Sequence, residues 1–134
     1  MNFLSIKAAL ESALNAWWPA TGNTPIAWEN VPFNDNGGLY IVPEVTPAIS
    51  FKLDYGRQGT AQINGTFNIR IVAPVNQGAG AAITKANLLI NHFGDTVISG
   101  VHLDVGSLNI IGTVENRYQI NVSLPFWTYQ EARA

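Results

Sequence analysis

His92 and His102 are the two histidines of the chain, and Asp95 and Asp104 stand close to them in sequence. Imidazole and carboxylate are common zinc donors, but several ligands must converge on one ion. The spacing fits no metal-binding motif and a His-Glu-x-x-His helix is absent, so both histidines read as ordinary surface or helix-end residues and no metal is expected. Gly78-Ala79-Gly80 precedes a helical stretch, as a phosphate cradle would. A dinucleotide fingerprint needs a third glycine where Ile83 sits, and a Walker loop needs Gly-Lys-Ser/Thr, for which Lys85 comes too late. The tripeptide reads as a flexible helix entry, and no cofactor is expected.

The nine carboxylates are scattered, with no pair on one strand face or at helical spacing, so a two-carboxylate glycosidase site has no support. Asn34-Asp35-Asn36-Gly37-Gly38 lacks the alternating acids and terminal Glu of a calcium loop. No Gly-x-Ser-x-Gly elbow is present. The chain is expected not to be an enzyme.

Aromatic residues are the richer signal. Trp17, Trp18, Trp28 and Phe33 crowd one stretch, and Trp127 is the fourth tryptophan. They could stack a sugar, as in a glycan-binding module, or pack a core and a protein interface, where Trp is enriched. Trp17 fits the apolar face of a helix, and Trp18 points about 100° away. Trp17 and Trp28 are therefore expected to anchor the helix to a sheet, with Trp18 turned toward another element or chain.

These residues need elements to hold them. Ile6, Leu10, Ala13, Leu14 and Trp17 recur at helical spacing opposite Lys7, Glu11 and Asn15, which predicts an amphipathic helix over residues 3–17, stopped by Pro19 and Gly22. A short strand over 26–31 and a turn at 34–38 follow. The strand over 39–45 is demoted to an edge, or broken, by Pro43 and Pro47, and pairing resumes with Ile49, Phe51, Leu53 and Tyr55. A hairpin loop at 56–59 leads into a strand over 60–72, where Ile63, Phe67, Ile69 and Ile71 alternate with Gln62, Asn64, Asn68 and Arg70. After a loop over 74–80, a second helix over 81–93 carries Ile83, Ala86, Leu89, Ile90 and Phe93 on one face and stops at Gly94.

Short strands are expected at 97–98, 101–105 and 108–114, with a turn at Glu115-Asn116. In the last strand, 117–126, Tyr118, Ile120, Val122, Leu124 and Phe126 point inward. The fold class is α+β, a mainly antiparallel sheet with two amphipathic helices packed on one face. Residues 1–134 read as one domain, with 128–134 as a polar tail that frays unless a partner holds it.

Composition narrows the partners. Hydrophobic residues make up 47% of the chain and charged residues 12%, about half the usual charge of roughly 25%. So poorly charged a surface points to protein contacts. Seven Lys and Arg without a cluster, at a net charge of −2, argue against sequence-specific nucleic-acid binding. The absence of cysteine excludes disulfides and thiolate metal sites. The first residues, with Lys7 and Glu11 inside the apolar pattern, read as a helix made in the cytoplasm and not as a signal peptide, and no run is long enough to span a bilayer.

The run Ala16-Trp-Trp-Pro-Ala-Thr-Gly-Asn-Thr-Pro-Ile-Ala-Trp-Glu-Asn-Val31 resembles the tail terminator proteins of bacteriophages with long non-contractile tails, relatives of the lambda tail terminator. Gly65-Thr-Phe-Asn-Ile-Arg-Ile-Val-Ala-Pro74, Asn91-His-Phe93 and Val122-Ser-Leu-Pro-Phe126 are similar too, in the same order. The resemblance implies a structural virion protein, assembled in the bacterial cytoplasm. Its copies would close into a hexameric ring on the head-proximal end of the tail tube, stop tube polymerisation and present a joining surface to the head. The implied partners are the chain itself, the tail tube protein and a head completion or connector protein, with no membrane involved. Trp18, Tyr55, Arg57, Gln58, Gln77, Trp127 and Tyr129 are the interface residues expected, with Arg57, Gln58 and Gln77 toward the tube. The alternatives are another minor tail or head-tail connector component and, in a different class, a glycan-binding module.

Overall fold

The computed structural model describes residues 3–21, 24–28, 38–52, 61–74 and 80–130. Two helices, α1 (Phe3–Thr21) and α2 (Gly80–Phe93), accompany strands β1 (Tyr40–Lys52), β2 (Ala61–Pro74), β3 (Thr96–Ile98), β4 (Val101–Leu103), β5 (Ser107–Val114) and β6 (Arg117–Gln130). The strands form one antiparallel sheet in the order β1-β2-β6-β4-β3, with β5 also paired to β6. This is the α+β class expected from the sequence.

β6 is the spine. It pairs with β2 from Arg117 to Gln130 on one side, while its other side takes β5 along residues 117–123 and β4 at Phe126 and Trp127. Alternation sends Ile63, Phe67, Ile69 and Ile71 of β2, and Ile120, Val122, Leu124 and Phe126 of β6, into the core. α2 buries Ala82, Ala86, Leu89 and Phe93 against them. Each Ile, Leu, Val or Phe among these contributes ~1.5–3 kcal/mol when fully buried, and the two alanines less.

α1 runs past Pro19 to Thr21 instead of stopping there. Proline removes one helical N–H and crowds the carbonyl of Asn15, and both residues are exposed, so that carbonyl is not forced to stay unpaired in the core. The buried row of α1 is Ile6, Leu10, Leu14 and Trp18, so the orientation expected for the tryptophan pair is reversed. Trp18 is 0% exposed, and its Nε1–H donates to Thr24 Oγ1 at 2.9 Å. The chain returning after the helix thus covers Trp18 from beyond the sheet-facing core that the rest of its row joins, and Trp17 is the half-buried member.

The strand expected at 26–31 is a single parallel bridge, Ile26 to Ile41, with Ala27 N donating to Ile41 O and Ile41 N to Pro25 O; residues 29–31 lie outside the described set. β1 is continuous through Pro43 and Pro47, sits at the sheet edge, and absorbs the disruption as a register shift between Pro47 and Ser50. An edge position leaves their missing N–H groups without consequence for the ladder. β6 runs on to Gln130 and does not end at Phe126, because Thr128 is buried and its hydroxyl donates to Gly100 O at 2.8 Å.

Tight turns set the short strands. Ser99 and Gly100 join β3 to β4, and Glu115 and Asn116 join β5 to β6, all four with positive φ. This is the pattern of the primed turns whose twist matches a hairpin. At the end of α2 the left-handed residue is Asp95, one step beyond Gly94, and Thr96 Oγ1 donates to the Phe93 carbonyl at 2.6 Å.

Candidate functional site

The two faces of the sheet differ in kind. One is covered by α1 and α2. The other presents Gln62, Asn64, Thr66, Asn68 and Arg70 of β2 and Gln119, Asn121, Ser123, Trp127 and Tyr129 of β6, none of them buried. At its middle, Ser123 Oγ donates to Asn68 Oδ1 at 2.9 Å, and the Asn121 amide donates to Ser123 Oγ at 3.2 Å. Beside this network Val42, Glu44, Asn68, Arg70, Ile111 and Asn121 line a shallow cavity of about 240 Å³. Its lining is two amides and two aliphatic side chains with one cation and one anion, which suits mixed protein contacts better than an ionic ligand.

The aromatic end of this face is built by register. Val97 pairs with His102, His102 with Trp127, and Trp127 with Asn64, a row across four strands. Antiparallel pairing brings opposite side chains together on one face. The His102 ring stacks on Trp127 at 3.9 Å between centroids and 4° between planes, and Tyr129 meets the edge of Trp127 at 5.3 Å. Asp95, Asp104, Val97, His102 and Trp127 border a cavity of about 140 Å³. Val97 and Tyr129 remain 59% and 47% exposed, which leaves apolar surface for a partner.

The second histidine has a tryptophan of its own. His92, at the end of α2, stacks on Trp17 at 3.9 Å and 2°, with Phe93 edge-on to Trp17 at 5.5 Å. Burial of the imidazole lowers the His92 pKa from 6.5 by disfavouring the charged form. Among the described residues no three or more His, Cys, Asp or Glu gather as metal ligands, and no helix is long and apolar enough to cross a membrane.

Of the interface residues expected from sequence, the structure brings Trp127 and Tyr129 together on the open face. Trp18 lies inside the subunit and offers no surface, which also removes it from any sugar-stacking platform. Tyr55, Arg57, Gln58 and Gln77 lie outside the described residues, as do Phe33 and most of the asparagine-glycine turn. Trp28 is half-buried and, with Glu11, Ser12 and Asn15, lines an open groove of about 210 Å³. Sequence reasoning missed Val97 and His102 as companions of Trp127. Ser99-Gly100 is a turn pair that could have signalled the Val97–His102 pairing, but nothing local links that pair to Trp127.

A family model for the phage tail terminator protein matches residues 5–126. The chain belongs to the phage tail terminator family. That makes it a structural protein of a bacteriophage virion, located in the tail. No curated protein matches this sequence. A solved structure is similar at 26% identity, covering 100% of this chain and 99% of that one, with a TM-score of 0.73. A chain in the virion of a native gene transfer agent particle shares the fold, at 18% identity over 93% of both chains and a TM-score of 0.56. This fold thus recurs over nearly the full length of the chain in both.

Proposed function

We propose that this chain is a ring-forming tail terminator. Its copies close into a ring, six in number, on the head-proximal end of the tail tube, end its polymerisation, and give head completion or connector proteins a surface to join. The observation that carries this reading is the family match across residues 5–126, nearly the whole chain. The gene transfer agent particle, a virion assembly containing a chain of this fold, is consistent with it.

The mechanism is geometric and involves no bond chemistry. A cyclic ring needs two different, complementary patches on each subunit. One ring face matches the last ring of tube subunits, and the other offers nothing on which a further tube ring can form. Tyr55, Arg57, Gln58 and Gln77 are proposed at interfaces, with Arg57, Gln58 and Gln77 on the tube side. Trp127 and Tyr129 are the partner-facing aromatics of the open sheet face, since large aromatics in desolvated pockets dominate binding energy.

Native mass spectrometry and electron microscopy of the purified chain, alone and with its tube protein, test the proposal. Rings alone or on tube ends, and tubes of limited length, are expected. A strict monomer that leaves tube growth unchanged would sink it.

A further inference from the structure

The sheet has three outer edges, and the chain treats them differently. Along β1, Ile41 exchanges hydrogen bonds with Pro25 and Ala27 on its outer side. Pro43 and Pro47 share the parity of Ile41 in an unbroken register, so their nitrogens face the same outer edge. Prolines placed so are a device against strand addition. β3 packs beside α1. β5 has neither protection: beyond it the described residues contain no further strand.

β5 is also unusual in composition. Residues 105–114, Val-Gly-Ser-Leu-Asn-Ile-Ile-Gly-Thr-Val, contain no charge and no proline. Four of the seven exposed large hydrophobics among the described residues fall there, Val105, Ile110, Ile111 and Val114. A neutral, apolar, unpaired edge is a template for another strand. Apart from β3, which α1 flanks, the described residues hold one other proline-free edge stretch, the far end of β1 at residues 48–52, past the register shift. Residues 50–52 pair with 61–63, at the end of β2 opposite the one level with β5, and β1 borders the other side of the sheet.

We propose that β5 of one copy pairs with residues 48–52 of the next copy, so that the sheet continues from subunit to subunit around the ring. The inference rests on the ring reading and supplies its seam. Two different edges on opposite sides of one chain join head to tail, the arrangement that closes into a ring, whereas β5 against β5 gives a two-fold dimer. A second copy satisfies both edges at once; an unrelated partner on β5 leaves the β1 stretch bare on every subunit. No like charges meet, because Lys52 is the one charged residue in the two strand stretches.

Thr113 supplies the test. The two-residue turn makes Val114 and Arg117 exchange hydrogen bonds, so alternation directs the Thr113 N–H away from β6. Thr113→Pro therefore keeps the hairpin and blocks the outer edge, as the β1 prolines do; Ile110→Lys charges the same edge and serves if the proline variant loses its far-UV circular dichroism. Either variant is expected to raise the concentration needed for ring assembly roughly tenfold or more. Since the chain has no cysteine, Ala48→Cys combined in turn with Asn109→Cys, Ile111→Cys or Thr113→Cys reports proximity. At least one double variant is expected to give covalent ladders longer than dimers on a non-reducing gel, with none from the single variants. Wild-type rings accompanied by unimpaired rings of a folded edge variant, or disulfide dimers from a β5 single-cysteine chain, would overturn the seam and leave the ring reading standing. A wild-type chain that forms no ring removes both.

Discussion

The imidazole of His92 lies flat on the indole of Trp17, with ring centroids 3.9 Å apart and planes 2° from parallel. The stack ties the last turn of α2 to the last turns of α1, and burial favours the neutral imidazole. A folded pKa below the unfolded value means that the unfolded chain binds the proton more readily as pH falls. The contribution of His92 is therefore complete above 6.5 and is lost as pH drops through the lowered folded value. Thermal unfolding followed by circular dichroism at pH 7.5 and pH 5 should show a larger fall in Tm for the wild type than for His92→Gln. Equal falls would show that the stack is not sensitive to this proton.

Trp18→Ala should be far more damaging than Trp17→Ala. Emptying a fully buried aromatic site costs ~3–5 kcal/mol, and Trp18 is 0% exposed with its indole N–H engaged by Thr24. Trp17 keeps a solvent-facing side, so its truncation should cost less. Urea denaturation of the two variants measures the difference, and equal midpoints would contradict the burial.

Gly65 faces Pro47 across the β1–β2 ladder and lies beneath the Phe126 ring. A Cβ there would overlap that ring and stand 2.5 Å from the Thr46 carbonyl oxygen, a backbone atom that cannot swing aside. Gly65→Ala should destabilise by ~1–3 kcal/mol, the usual cost of overpacking. At Gly80 nothing lies within 4 Å of the corresponding position, so Gly80→Ala should be neutral or stabilise by ~0.4–1 kcal/mol through the unfolded chain. Denaturant midpoints of the pair decide it.

The turn from β5 to β6 places Glu115 and Asn116 at φ of 51° and 61°. Asparagine tolerates that region and glutamate does so at a cost. The double substitution Glu115→Asn with Asn116→Gly supplies the preferred pair for a primed turn and relieves part of the ~1–2 kcal/mol that each left-handed residue costs, so stability should rise. An unchanged or lower Tm would show that the Glu115 side chain is engaged elsewhere.

β2 and β6 could be read from the sequence because each is buried on one face, so apolar and polar residues alternate over their length. β1 could be read as an edge because two prolines fit nowhere else in a sheet. The tryptophan pair was misassigned because helical periodicity describes one contact surface, and Trp18 is reached by the chain returning after α1 as well as by the sheet. The continuation of β6 was hidden by polar Thr128, whose hydroxyl finds the Gly100 carbonyl only after the β3–β4 turn has formed. Trp127 and Tyr129 stood out by residue type. The row from Val97 through His102 to Trp127 did not, because it depends on strand register between segments distant in sequence.

β6 comes after every other described element, yet all three parts of the sheet depend on it: the β1–β2 pair, the β3–β4 hairpin and β5. During synthesis, β1 and β2 can pair and β3 can meet β4, but nothing joins these pieces until residues 117–130 leave the ribosome. Long-range pairing of this kind delays folding until the distant strand arrives. β6 thus acts as the closing clasp of the sheet: a chain that stops short of it has no continuous sheet and no pair of outer edges held at a fixed spacing.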